Sequence, residues 1–187
     1  MRKKLQSKSR TGTLRRRFVV RPAPVRARRA GVEYALFHRE VCSYFDGARR
    51  ACAGRVERGG ILIGSYRGPH IEVVDCTEPG AADKATLSSF TRRDERHQEA
   101  ATEAWRKSHR RQTYVGEWHS HPFGRPIPSG TDRRAWQSVV AKLSVPCLFV
   151  LVSPAGWHVY RIRPGTTARD MVQLNESENG NTGVIFR

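Results

Sequence analysis

The sixteen residues from Glu117 to Asp132 constrain the fold more than any other stretch of this 187-residue chain. They read Glu-Trp-His-Ser-His-Pro-Phe-Gly-Arg-Pro-Ile-Pro-Ser-Gly-Thr-Asp. His119 and His121 are two apart, so on an extended strand both side chains point to one face. The loop after them holds Pro122, Pro126, Pro128, Gly124 and Gly130, the composition of a fixed turn. From Asp132 to Leu143 the pattern becomes helical, with Trp136, Val139, Val140 and Leu143 on one face. The turn can bring the Asp132 carboxylate back to the two imidazoles. Such a trio suits one zinc ion per chain. Three N and O ligands leave a fourth tetrahedral position for water, the pattern of a catalytic rather than a structural zinc site.

The chain is long enough for one ordinary core and hardly two. Its formal charge of +17 is unevenly spread: residues 1–30 contain twelve Lys or Arg and no Asp or Glu, which leaves the other 157 residues about +5. We read residues 1–30 as a basic, flexible arm. It is open to three uses: a solvated leader, a contact with nucleic acid through its phosphates, or an Arg-rich organellar transit peptide. Arg15-Arg16-Arg17-Phe18 lacks the apolar stretch of a twin-arginine signal, because Arg21, Arg26, Arg28 and Arg29 interrupt the residues after it. No segment approaches the roughly 18 apolar residues of a membrane span. Cys42, Cys52, Cys76 and Cys147 form no C-x-x-C pair and read as reduced thiols of a cytoplasmic protein.

Periodicity predicts a helix from Tyr34 to Cys52, a buried strand from Gly60 to Tyr66, and a hairpin partner from Ile71 to Cys76 across the turn Arg67-Gly68-Pro69. Residues 93–110, with Ala100, Ala101, Ala104 and Trp105 as a narrow apolar side, predict an exposed amphipathic helix. Strands are expected at 112–120, 146–152 and 157–162. The composition turns polar at Pro164, so residues 164–187 read as a tail with a short strand at Val184 to Phe186. This order implies an α/β domain over residues 31–163, a mixed sheet flanked by helices.

A zinc hydrolase also needs a carboxylate close to the metal to move a proton. Two residues qualify. Glu57 stands at the mouth of the Gly60 strand, and Glu117 alternates onto the face of the two histidines, where it could be a ligand, a support behind the ligands or the base. Spacing does not choose between them. Ser129-x-x-Asp132 is also a capping box for the coming helix, a role compatible with presenting Asp132 to a metal. Trp118 and Trp136 read as core, and His38, His70, His97, His109 and His158 have no partner spacing.

Glu57-x-x-Gly-Ile-Leu-x-Gly, then His119-x-His121, seven residues, Ser129, two residues and Asp132, resembles the JAMM motif (also JAB or MPN-plus) over roughly residues 34–163. The resemblance implies a JAB/MPN-like, cytidine-deaminase-like fold in which His119, His121 and Asp132 bind zinc. It also implies that Glu57 is the acid and base and that Ser129 helps stabilise the oxyanion. Gly-Gly-Ile-Leu-Ile-Gly-Ser-Tyr-Arg-Gly and Tyr-Val-Gly-Glu-Trp-His-Ser-His-Pro look similar to the prokaryotic JAB proteins of antiphage operons, both CBASS-type and bacterial ubiquitin-like. The implied activity is isopeptidase cleavage between the C-terminus of a ubiquitin-like or cGAS-like protein and its target or precursor tail, with E1-like and E2-like enzymes as operon partners. Two alternatives stand beside it: a JAB-type peptidase for another amide, and a nucleic-acid-binding protein that works through its arm.

Overall fold

The computed structural model describes residues 33–167 and 172–187. The uses proposed for the basic arm lie outside the described residues. Eleven strands and three helices run in the order β1 (Ala35–His38), α1 (Arg39–Ala51), β2 (Gly59–Arg67), β3 (His70–Cys76), β4 (Lys84–Ala85), β5 (Phe90–Thr91), α2 (Arg96–Lys107), β6 (Thr113–Ser120), α3 (Gly130–Leu143), β7 (Cys147–Ser153), β8 (Gly156–Ile162), β9 (Val172–Leu174), β10 (Glu176–Gly180) and β11 (Gly183–Phe186). Nine strands form one mixed sheet in the order β10-β11-β1-β3-β2-β6-β7-β8-β9, with β4 and β5 as a separate hairpin. The mixed sheet with flanking helices is the architecture expected from the sequence.

The sheet has a core on each face. Strand β7, Cys-Leu-Phe-Val-Leu-Val-Ser, is buried throughout because it packs on both. Leu148, Val150 and Val152 join α1 residues Val41, Cys42 and Phe45 on one side, while Cys147, Phe149 and Leu151 join α3 residues Trp136 and Val140 on the other. Strand β6 runs parallel to β7, and α3 is the crossover between them. In β6 the register slips at Val115, opposite Leu62 and Ile63. Because a one-residue slip exchanges faces, Val115 and Trp118 both enter the α1 core. Glu117 and His119 are thereby left on the α3 side.

Two expectations need correction. Residues 35–38 are strand rather than the start of the first helix, since Ala35 and Phe37 are buried between β3, to which β1 is parallel, and β11, to which it is antiparallel. Helical spacing there is a coincidence of four residues, and long-range pairing outweighs it. The stretch read as a polar tail with one short strand supplies three strands to the sheet: β11, where Val184 to Phe186 predicts it, and the unexpected β9 and β10. Of its hydrophobic residues Leu174, Val184 and Phe186 reach the core, while β10 is exposed along its whole length. All four cysteine sulfurs are free. No described helix is long and apolar enough to cross a membrane.

Gly60 explains one part of the motif. The Trp118 indole N–H donates to the Thr77 carbonyl at 2.9 Å directly over this residue. A Cβ at Gly60 would lie 2.1 Å from that carbonyl oxygen and 2.7 Å from the indole nitrogen. Gly60→Ala should therefore destabilise the fold by about 2–4 kcal/mol through overpacking and the lost bond. Gly47→Ala, in α1 with nothing within 4 Å of the new methyl, should instead stabilise it by about 0.5–1 kcal/mol. Urea unfolding of both proteins decides; a Gly60→Ala protein as stable as the parent would mean that the Thr77 turn moves away at no cost.

Candidate metal centre and its cleft

The backbone around His119 is held from both sides. Gly59 of β2 pairs with His119, the Ser120 N–H donates to the Arg58 carbonyl at 2.7 Å, and the Arg58 N–H donates to Ser120 Oγ at 2.9 Å. His121 lies one residue past the end of β6, yet its N–H donates to the Val152 carbonyl at 2.7 Å and prolongs the pairing with β7. Both imidazoles consequently leave one face, as their spacing predicts. Asp132 arrives from the first turn of α3, where Ser129 is the N-cap. The capping box is complete: Asp132 N–H donates to Ser129 Oγ (3.2 Å) and Ser129 N–H donates to Asp132 Oδ2 (2.7 Å).

The three donors converge. His119 Nε2 is 3.1 Å from His121 Nε2 and 3.2 Å from Asp132 Oδ1, and His121 Nε2 is 3.4 Å from Asp132 Oδ2. Among the described residues this is the one group of three or more His, Cys, Asp or Glu side chains whose donor atoms come so close. A tetrahedron with metal–ligand bonds of about 2.0–2.1 Å has edges of about 3.3–3.4 Å, so the spacing fits one face of such a tetrahedron. Two neutral imidazoles and a carboxylate also match zinc in chemical type. The residues fit the ion.

Burial alone would raise the Asp132 carboxyl, but hydrogen bonds to His119 and His121 outweigh it and hold the group far below the carboxylate range. The same contact with Asp132 raises His121 against a smaller opposing effect of burial. Glu57 is 7% exposed and lines the same cleft, its N–H donating to the Thr86 carbonyl at 2.7 Å. Burial pushes its carboxyl up, His119 and His121 counteract this, and Asp132 adds to it. A carboxyl tuned upward is better placed to take and return a proton near neutrality.

The cleft has a volume of about 500 Å³ and is walled by the β4–β5 hairpin on one side and by the loop before α3 on the other. The Phe90 ring sits over Gly59, where a Cβ would come within 2.6 Å of it. No sequence signal marks this hairpin. Its base is pinned by Asp83, which accepts from the backbone N–H groups of Arg93 (2.7 Å), Asp94 (2.9 Å) and Gly80 (2.6 Å) and contacts buried His97 at 2.9 Å. The far side of the His97 ring meets Thr77 Oγ1 at 2.6 Å. His97, to which spacing assigns no role, is thus a brace between the hairpin and the sheet. Glu117 faces the cleft as its alternation predicts, with its carboxylate in an ion pair with Arg92 at 2.8 Å. Sequence reasoning misses Arg92 because twenty-five residues separate it from its partner. The His119 ring is set edge-on to Trp136, which stacks on Phe149.

A family model described as prokaryotic homologs of the JAB domain matches residues 47–167. A CD-NTase/cGAS isopeptidase from Vibrio cholerae is 42% identical over 95 residues, which are 50% of this chain and 61% of the relative. A protein of the same description from Escherichia coli is 33% identical over 97 residues, 52% of this chain and 62% of that one. A probable metalloprotease, y4qB, from Sinorhizobium fredii is 29% identical over 109 residues, covering 54% and 66% of the two chains. The chain thus spans a little over half to two thirds of these relatives' lengths. The solution structure of protein DSY2949 from Desulfitobacterium hafniense shares the fold, with a TM-score of 0.51 at 21% identity over 74% of this chain and 88% of that one.

The linkage between the cluster and pH has a definite sign. His121, raised in the folded protein, stabilises the metal-free fold fully below its unfolded value of about 6.5 and progressively less as pH rises through its folded value. Asp132, lowered, contributes fully above about 3.9 and loses its contribution as pH falls. Metal-free protein should therefore gain most from this cluster, relative to Asp132→Asn, between about pH 4 and 6.5. Zinc should move the optimum upward, because both imidazoles must be neutral to bind it. Thermal unfolding with and without zinc across this range tests the point; a zinc-induced gain that is equal at pH 5.5 and 8 would contradict it.

Proposed function

We propose, from the premise that this chain belongs to the prokaryotic homologs of the JAB domain, that it is a zinc-dependent isopeptidase. The observation that carries this reading is the convergence of His119, His121 and Asp132 in a cleft that also contains the buried Glu57 carboxyl. The names of the relatives suggest the substrate: the amide that joins the C-terminus of a cGAS-like, or more broadly ubiquitin-like, protein to a target lysine or a precursor tail. We further propose a cytoplasmic setting in antiphage defence, beside the E1-like and E2-like enzymes that would make such a conjugate.

A zinc ion held by His119, His121 and Asp132 supplies Lewis acidity, drawing charge from a carbonyl oxygen and making water acidic near neutral pH. Glu57 accepts the proton of the attacking water as its oxygen bonds to the amide carbon. Ser129 Oγ already accepts from the Asp132 N–H, so its own hydrogen is free to donate to the carbonyl oxygen as charge builds there. Glu57 then returns its proton to the departing lysine nitrogen. The C–N bond breaks, leaving a carboxylate on the tag and an amine on the target. Arg92 fixes Glu117 beside this path and keeps a second carboxylate from competing for the ion.

Glu57→Gln should retain zinc and lower turnover of a model conjugate by about a hundredfold to ten-thousandfold. Ser129→Ala should cost about a hundredfold in kcat and, through the lost cap, about 1 kcal/mol of stability. Asp132→Ala should lose the metal, whereas deletion of residues 1–30 should leave cleavage intact. Zinc content and single-turnover cleavage of the purified variants test these assignments. Near-normal turnover by Glu57→Gln would pass the role of base to Glu117.

A further inference from the structure

Five large hydrophobic side chains are exposed among the described residues, and four of them fall on three segments that contribute residues to the cleft, 53–58, 84–93 and 121–134: Leu87 and Phe123 line it, and Val56 and Ile127 are close in sequence to lining residues Glu57 and Ser129. Single exposed hydrophobics are ordinary, but their concentration around one concavity is not. Charge follows the same boundary. These three segments contain eight Lys or Arg and two carboxylates, Glu57 and Asp132, a surplus of six. Residues 31–187 as a whole contain twenty-two Lys or Arg and seventeen carboxylates, a surplus of five. Beyond the basic arm, then, the positive charge of the chain is gathered on the three segments that contribute to the cleft, and the remainder is slightly negative. Arg55, Arg58, Lys84, Arg93, Arg125 and Arg134 are exposed and form no ion pair among the described residues.

We infer that this collar docks an extended, acidic polypeptide segment that bears aliphatic anchors and lies next to the scissile amide. The inference rests on the isopeptidase reading of the centre and specifies the substrate it takes. Cations that form no ion pair among the described residues complement carboxylates in another chain, and a cationic surface also speeds the encounter with such a partner. The apolar members decide between protein and nucleic acid. Val56, Leu87 and Ile127 are aliphatic and offer no flat ring for a base, whereas single-stranded nucleic acid is held on aromatic platforms. Phe123 is the one exposed ring among the four, a single platform rather than the successive ones a strand of bases needs, and the three aliphatic members suit leucine-like or valine-like side chains. Exposed charges are screened within about 8 Å at physiological salt, so the ionic part of the affinity must fall with added salt while the apolar part persists.

The test uses the full chain loaded with zinc and carrying Glu57→Gln, so that peptides bind without hydrolysis. Fluorescence anisotropy is read for three labelled twelve-residue peptides: one with Asp, Glu and two Leu, one with Lys in place of each acid, and one with Ser in place of each Leu. The acidic peptide should bind at least about tenfold tighter than the Lys peptide at 50 mM salt, and this gap should shrink at 300 mM. The Ser peptide should bind several-fold more weakly than the acidic one at both salt concentrations. R93E combined with R125E, both outside the catalytic set, should abolish or invert the preference. In the otherwise native enzyme the same double variant should raise KM for an acid-flanked conjugate and leave kcat unchanged. Equal binding of the acidic and Lys peptides would overturn the inference. So would a preference untouched by the double variant, which would assign the binding to residues 1–30, or a twelve-nucleotide single strand that binds tighter than the acidic peptide and is weakened by the same variant. Conjugates cleaved without charge preference would sink the docking surface alone, and acidic peptides bound by a protein that cleaves no conjugate would sink the isopeptidase reading alone.

Discussion

Two imidazole nitrogens and a carboxylate, 3.1 to 3.4 Å apart, form the contact around which the other features are arranged. Two neutral rings that face each other through Nε2 can share at most one hydrogen, and two charged rings repel. Each ring can donate from Nε2 to one oxygen of Asp132, but the two N–H groups then crowd each other at 3.1 Å, and a metal ion in place of those hydrogens relieves the conflict. Such an arrangement survives only where the backbone leaves the side chains no alternative. Here β6 is fixed between β2 and β7, the His121 N–H is bonded to Val152, and the Ser129–Asp132 box fixes the turn that presents the carboxylate. One residue, Asp132, is at once cap partner, hydrogen-bond acceptor and candidate ligand.

The range of each interaction decides whether the sequence reveals it. Strands β2, β3, β6, β7 and β8 and helix α3 are legible because apolar runs, glycine-bounded turns and the capping box are local signals. The site trio is legible for the same reason: two of its members share a strand face, and the third comes after a stiff loop. Strand β1 reads as helix because Ala35 and Phe37 are strand residues only by virtue of β3 and β11, which are distant in sequence. Of the three C-terminal strands, β11 shows in Val184 to Phe186, while β9 and β10 are hidden by polarity, since an edge strand such as β10 buries nothing. The β4–β5 hairpin has two residues in each strand, too few for any period to show. It depends instead on Asp83, whose acceptance of three backbone N–H groups and contact with His97 hold its carboxyl down to about 2 although burial opposes this.

Rigid and adaptable parts divide the labour. The metal donors sit at and just past the end of β6 and on the first turn of α3, and Glu57 is buried two residues before β2. The segments around them are the β4–β5 hairpin and the loops before β2 and α3, and they carry exposed apolar and cationic side chains. Glu117 marks the boundary between the two: it shares a strand face with His119 but is bound to Arg92 from the hairpin, so the wall and the floor of the cleft are joined by one ion pair.

The most direct measurement is zinc K-edge X-ray absorption on the purified, zinc-loaded protein. If His119, His121 and Asp132 hold the ion, the spectrum shows four light N or O scatterers at about 2.0–2.1 Å, two with the outer-shell pattern of imidazole, and Asp132→Ala removes the stoichiometric signal. A sulfur shell at about 2.3 Å, which would place the metal on the cysteines, or tight zinc that survives loss of Asp132 and both histidines, would contradict the metal centre and every role built on it.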